Sequence, residues 1–139
     1  MTTFVDTNVL VYLMDDNDTM HPWSVEKFAD CKAKGPVIIS DIVYCELSVG
    51  MASKDELDEA LSEIAVERFS GSDEILFRAG IAYKEHRDKN KGPKLNVLPD
   101  FLIGASAEVM GVPLLTANPK DFLKYFPKIK VISPGTGGA

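Results

Sequence analysis

The 139-residue chain is long enough to bury a core of its own, and with 45% hydrophobic and 26% charged residues it has the make-up of a globular domain. No run of ~18 apolar residues is present, which excludes a helical membrane span, and the net charge of -6 argues against a surface that grips nucleic acid all over. Cys31 and Cys45 are too few for a disulfide framework and are not spaced as CxxC, and the first residues lack a basic stretch followed by an apolar core, so reduced thiols and a cytoplasmic location are expected.

Thr2 to Val5 predicts a short strand of β-branched and aromatic residues, ended by Asp6. Val9, Leu10, Tyr12, Leu13 and Met14 then space as a short helix, and Asp15 to Asp18 reads as a turn. A second helix opens at His21-Pro22-Trp23-Ser24, with Pro in its first turn, Trp23, Val25 and Phe28 facing inward, and Lys34-Gly35-Pro36 ending it. Val37 to Ser40 predicts a strand buried on both faces. Asp41 starts a helix that ends near Gly50, and Ser53 with Glu56 forms a capping box for the next, Lys54 to Ala65.

Val66 to Phe69 predicts an edge strand. Ser72 or Asp73 caps a helix over Glu74 to Asn90 with an apolar stripe of Ile75, Leu76, Ala79, Ala82 and Tyr83. Lys91 to Lys94 is a basic loop; a helix runs from Leu98-Pro99-Asp100 to Met110 and stops at Gly111. Val112 to Thr116 predicts a strand, Asn118 to Phe122 a turn into a short helix, and Ile129 to Ile132 a last strand. This order predicts an α/β domain with a parallel sheet covered by helices on both faces.

Such a sheet collects the carboxyl ends of its strands at one edge, where ligands bind. Asp6, Glu46, Asp100, Asn118 and Asp121 all fall near that edge. Each has an ordinary reading as well. Asp6 and Asp100 are favourable at helix starts, Glu46 can face solvent, and Asn118 and Asp121 suit turns and caps. Taken together, converging carboxylates raise one another's pKa, and a divalent cation relieves the conflict. Hard oxygen ligands select Mg²⁺ or Mn²⁺, ions suited to phosphodiester hydrolysis.

Phe4-Val5-Asp6-Thr7-Asn8, Tyr44-Cys45-Glu46-Leu47, Leu98 to Ala105 and Leu115 to Phe122 resemble, in order and at suitable separations, the four motifs of the PIN domain, closest to VapC-type toxins of toxin–antitoxin pairs. The resemblance implies a three-layer fold with a central parallel sheet of about five strands, residues 1–134 as one PIN-like domain and 135–139 as a loose tail. It implies a Mg²⁺- or Mn²⁺-dependent endoribonuclease in which Asp6, Glu46 and Asp100 hold the metal. Asn8 would order the first turn and bond the acids, Thr116 would support the pocket, and Asn118 would act as a neutral ligand or water-positioner where many members carry Asp. Asp121 would be a further catalytic acid at the rim.

From these residues follow the remaining expectations. RNA is the substrate, guided by the basic cluster of Lys84, Arg87, Lys89, Lys91 and Lys94, with His86 exposed beside it. Lys120, Lys124, Lys128 and Lys130 form a second basic cluster, and both clusters can also be plain solvated faces. The resemblance also implies a cognate antitoxin and a homodimer, for which Trp23, Met51 or exposed parts of the helix carrying Leu57 and Leu61 offer contacts. Two other classes stay open: a catalytically weak binding protein acting through a protein partner, and a phosphotransfer receiver with Asp6 as acceptor. The receiver lacks a Lys after a late strand, since Ala117-Asn118-Pro119 follows Thr116.

Overall fold

The computed structural model describes residues 1–90 and 97–135. At its centre is β1 (Thr3–Val5), buried at every position. It pairs in parallel with β2 (Val37–Ser40) on one side and β4 (Leu114–Leu115) on the other, with Phe4 opposite Ile38 and Leu114. β3 (Val66–Phe69) adds to β2 and β5 (Val131–Ile132) to β4, giving five parallel strands in the order β3-β2-β1-β4-β5. β2 is buried throughout, as its continuous apolar run requires, whereas β3 exposes Glu67 and Arg68. β4 and β5 are shorter than their apolar runs predict: Pro113 cannot donate to a ladder, and Ile129 packs in the core before the strand begins.

Seven helices flank the sheet among the described residues: α1 (Thr7–Met14), α2 (His21–Lys34), α3 (Asp41–Ser48), α4 (Lys54–Glu63), α5 (Asp73–Asn90), α6 (Leu98–Met110) and α7 (Lys120–Tyr125). The chain advances outward from β1 to β3, then crosses back to β4 and β5. Right-handed crossovers therefore put α1 to α4 over one face and α5 to α7 over the other. Within each layer α1 packs against α2 and α3, and α6 against α5 and α7, while α3 also meets α6 across the division.

Local chemistry sets the helix ends. Ser53 Oγ accepts from Glu56 N–H at 3.1 Å, while Glu56 Oε2 accepts from Ala52 N–H at 2.7 Å, a reciprocal cap. Ser72, not Asp73, caps α5, its Oγ accepting from Ile75 N–H. Gly111 ends α6 at φ +67, a left-handed position suited to glycine.

The α5–α7 layer is aromatic. Phe101 packs edge-on to Tyr125 at 5.0 Å and to Phe126 at 6.2 Å. α6 approaches so closely here that a Cβ on Gly104 would fall 2.5 Å from Phe126 Cδ2.

Several outward and inward assignments change. His86, expected to be exposed, is buried: its ring stands edge-on to Phe101 and Tyr125, with Nδ1 2.8 Å from the Tyr125 hydroxyl. Helical spacing places it on the stripe of Ile75, Ala79 and Ala82, and that stripe overrides the charged neighbours in sequence. Val25 and Leu76 lie on the outer sides of their helices and are exposed. Leu57 and Leu61 are buried while other positions of α4 are exposed, and Trp23 and Met51 are partly buried against the core. The loop of Lys91 and Lys94, and residues 136–139 of the expected tail, lie outside the described residues.

Candidate active site

Asp6 stands where β1 becomes α1. Its backbone N–H donates to Leu115 O at 2.9 Å, fixing the strand end to β4. This is the point at which the strand order reverses, where open α/β sheets leave a crevice. Both readings of Asp6 apply to it: Oδ1 accepts from Thr7 N–H at 2.8 Å as a cap, and Oδ2 accepts from Thr116 Oγ1 at 2.7 Å inside the cleft. The Thr116 hydroxyl in turn accepts from Asn118 N–H at 3.1 Å, which orients its proton toward Asp6.

The cleft at this place has a volume of about 320 Å³ and is lined by Asp6, Thr7, Asn8, Val11, Tyr12, Glu46, Asp100 and Asn118. Glu46 comes from α3, half-buried, and Thr7 Oγ1 donates to its Oε1 at 2.7 Å. Asp100 comes from the first turn of α6. Asn118 is exposed and lines the cleft, and Asp121, in the first turn of α7, is not among the lining residues yet near enough to act on Asp100. Asn8 does not bond the acids: its Oδ1 accepts from Ala117 N–H at 3.3 Å, tying α1 to the loop after β4.

The electrostatics of the cleft are uncompensated. Burial raises the Asp6 pKa, opposed by the hydrogen bonds from Thr116 and Thr7 and reinforced by Glu46. Asp100 is pushed up to about 7, first by burial and then by the charges of Asp6, Glu46 and Asp121. Among the described residues none of these four acids has an ion pair. Nor do any three acidic, His or Cys side chains there gather tightly enough to enclose an ion by themselves. The donor set of carboxylates, hydroxyls and an amide nonetheless suits a hard cation that keeps part of its water shell and shares oxygens with a phosphate.

A larger hollow, about 730 Å³, lies against β3 and is lined by two acids, Asp58 and Glu67, and two cations, Lys32 and Arg68. Asp58 is already served by Tyr44 Oη at 2.6 Å and Lys54 Nζ at 2.5 Å, so that hollow lacks the charge conflict of the cleft.

The basic candidates Lys84, Arg87 and Lys89 are exposed on α5. Lys89 Nζ lies 2.9 Å from Glu85 and Arg87 Nε 3.9 Å from Asp88, which partly neutralises both. Lys91 and Lys94 lie outside the described residues.

Three lining residues escaped the sequence reading of the site. Thr7 holds Glu46, and Val11 and Tyr12 form the wall of the cleft. Asn8, Val11 and Tyr12 follow an i, i+3, i+4 spacing, so one helical face was readable there once Asn8 was placed.

The fold is a parallel α/β domain with carboxylates gathered at the switch point of its sheet. The sequence matches the PIN domain family model over residues 3–126, and the chain belongs to the PIN domain family. No curated protein matches it in sequence. Among solved structures it is similar to VapBC2 from Rickettsia felis bound to a promoter DNA fragment, at 22% identity and TM-score 0.67, over 96% of this chain and 98% of that one. It is similar to a toxin–antitoxin complex from Klebsiella pneumoniae at 25% identity and TM-score 0.63, over 95% and 97%. VapC20 from Mycobacterium tuberculosis, described as a toxin that cleaves the sarcin–ricin loop, matches at 18% identity and TM-score 0.56, over 81% and 86%.

Proposed function

We propose that this chain is a Mg²⁺- or Mn²⁺-dependent endoribonuclease, the toxin of a toxin–antitoxin pair, acting in the cytoplasm on RNA. The observation that carries the reading is the convergence of Asp6, Glu46 and Asp100 in one cleft with no cationic partner among the described residues. The fold of antitoxin-bound neighbours supports a cognate antitoxin as partner and the family resemblance a homodimer.

Asp6, Asp100 and Glu46 would hold the cation, directly or through water. When bound, it supplies charge to polarise a phosphate and lowers the pKa of an attacking water. The protein's own groups set the stage. Thr7 N–H and Thr116 Oγ1 fix both oxygens of Asp6, and Thr7 Oγ1 fixes Glu46 by Oε1, leaving Oε2 to act as ligand or base. Asn118, exposed in the cleft lining, orients water or the RNA backbone, and Asp121 adds negative charge near Asp100.

The test is cleavage of structured RNAs by partner-free protein with Mg²⁺, Mn²⁺ or EDTA, beside Asp6→Asn and Asp100→Asn variants shown to be folded. Metal-requiring cleavage that both variants lose supports the proposal. Cleavage indifferent to EDTA or to the variants sinks it. A second reading, a catalytically weak PIN-fold protein that acts through its partner, is favoured by one feature: an amide, Asn118, lines the cleft. Mn²⁺ binding without metal-dependent cleavage would select that reading.

A further inference from the structure

Helix α1 gives the cleft a wall that the packing of the fold does not explain. Val9 and Leu10 are buried and Leu13 packs against the core. Val11 is 48% exposed and Tyr12 stays out of the core cluster, although both line the cleft. Among the described residues the Tyr12 ring meets no other aromatic ring and its hydroxyl makes no hydrogen bond. Its backbone is nevertheless held. Asp15 N–H donates to Tyr12 O at 3.3 Å, and His21 Nδ1 lies 2.8 Å from the same oxygen, so the end of α1 is tied to the start of α2. Single exposed apolar side chains are ordinary, but these two are neighbours and share the lining of one site.

The rest of the lining makes this wall informative. Its other members are Asp6, Thr7, Asn8, Glu46, Asp100 and Asn118, none of them Lys or Arg, and Asp121 acts on Asp100 from nearby. A polyanion brought here meets acids, and a bound cation offsets only part of their repulsion. Affinity must then come from a contact that carries no charge. Val11 and Tyr12 are the apolar part of the lining. A nucleobase is uncharged and has a π-face whatever its identity, so stacking on an aromatic side chain holds a strand without reference to its phosphates. The cleft, at about 320 Å³, lies at the small end of ligand sites and suits a single nucleotide.

We propose that Val11 and Tyr12 form a base platform: when a backbone phosphate lies at the acids, the adjoining nucleobase stacks on the Tyr12 ring with Val11 beside it. The proposal deepens the RNA reading above and rests on it. Tyr12 becomes a substrate-binding residue, and the affinity that the acids cannot supply resides on the apolar wall.

Equilibrium binding of two fluorescein-labelled hexamers to the full chain in Mg²⁺, followed by anisotropy, tests it. One probe is oligoadenylate and the other an abasic ribose-phosphate hexamer of equal charge, each checked to be intact after titration. The wild type should bind oligoadenylate about tenfold more tightly than the abasic probe. Tyr12→Ala should lose about that tenfold on oligoadenylate and nothing on the abasic hexamer, a coupling that general damage would not give. Tyr12→Phe keeps the ring and should bind as the wild type does, and Val11→Ala should lose about threefold. Alanine favours a helix, so Tyr12→Ala should melt no earlier than the wild type. If Tyr12→Ala binds oligoadenylate as well as the wild type, the platform is overturned while the RNA reading stands, and the wall is left to a protein partner. Equal losses on both probes also overturn it, since Tyr12 would then only support the acids. A wild type that binds neither hexamer overturns the platform, and the cleavage assay above decides the RNA reading separately.

Discussion

Two clusters of charge in this molecule are handled in opposite ways. On the α5–α6 side, Glu108 receives Arg78 Nε at 2.6 Å and Nη2 at 3.3 Å; Nη2 also donates to Tyr125 O at 2.9 Å, and the guanidinium lies over the Phe126 ring. The Arg78 and Glu108 charges there answer each other. In the cleft, Asp6, Glu46 and Asp100 converge with hydroxyl and amide partners and no cation among the described side chains. The first arrangement holds helices together. The second keeps an unfavourable charge state, which a fold tolerates where the charge is used. The chain can evidently neutralise a half-buried carboxylate, so the open cleft is a feature of its design.

The sharpest break of this comparison is chemical. Asp6→Asn keeps the shape of the side chain but halves its acceptor capacity toward Thr7 and Thr116 and removes its charge. If the cleft is a catalytic metal site, kcat/KM for RNA cleavage should fall by a factor on the order of 10³, read on protein whose unfolding curve is unchanged within about 1 kcal/mol. A variant that retains cleavage would reduce Asp6 to a helix cap.

The structural cluster should answer in the other currency. Arg78→Ala leaves Glu108 and Tyr125 O without their donors and strips a cation from Phe126. The side chains are 24% and 19% exposed, so solvent compensates in part, and a loss of about 2–3 kcal/mol is expected in urea unfolding. Cleavage per folded molecule should not change. Equal losses of stability and turnover would mean that the two clusters are coupled.

The sequence made the two clusters unequally legible. The acids of the cleft could be found because Asp6 follows a predicted strand, Asp100 opens a predicted helix and Glu46 lies in the second turn of the helix after β2, all near the edge where a parallel sheet gathers its strand ends. The hydrogen-bond scheme could not be found. That Thr7 serves Glu46 and Asn8 serves Ala117 depends on how far α1 rotates as it leaves β1, a matter of a few tens of degrees that spacing does not resolve. In the structural cluster even burial was misread. His86 stands among Lys84, Glu85, Arg87 and Asp88, and local charge concealed that its position on the helix faces Phe101 and Tyr125. Strand ends were overextended at β4 and β5 because apolar runs continue beyond the ladder that pairs them.

The charge conflict in the cleft also predicts a pH signature. Asp100 holds its proton up to about 7 in the folded protein, against an ordinary 3.8. Between these values the folded state binds more protons than the unfolded one, so stability from this group is complete below 3.8 and is lost as pH rises through about 7. Between about pH 5 and pH 8 the wild type should lose about 1–2 kcal/mol more than Asp100→Asn, allowing for solvent screening. Mn²⁺ at about 100 times its dissociation constant should return up to about 2.7 kcal/mol to the wild type at pH 8, and much less to the variant. Parallel pH curves for the two proteins would show that the carboxylates do not interact as the geometry requires.

The smallest effect concerns the hydroxyl that separates the two ways of treating a charge. Thr116 is fully buried and its proton is directed to Asp6 by the bond from Asn118 N–H. Thr116→Val keeps the volume and the β-branched shape but removes that proton and leaves Asp6 Oδ2 and Asn118 N–H unsatisfied. Stability should fall by about 1 kcal/mol. With one lowering influence gone, the Asp6 pKa should rise further, so the acid limb of the cleavage profile should move to higher pH. Thr116→Ser, which restores the hydroxyl, should bring the limb back while leaving a small packing defect. That split distinguishes a hydroxyl that holds a carboxylate ionised from a methyl group that merely fills the end of β4.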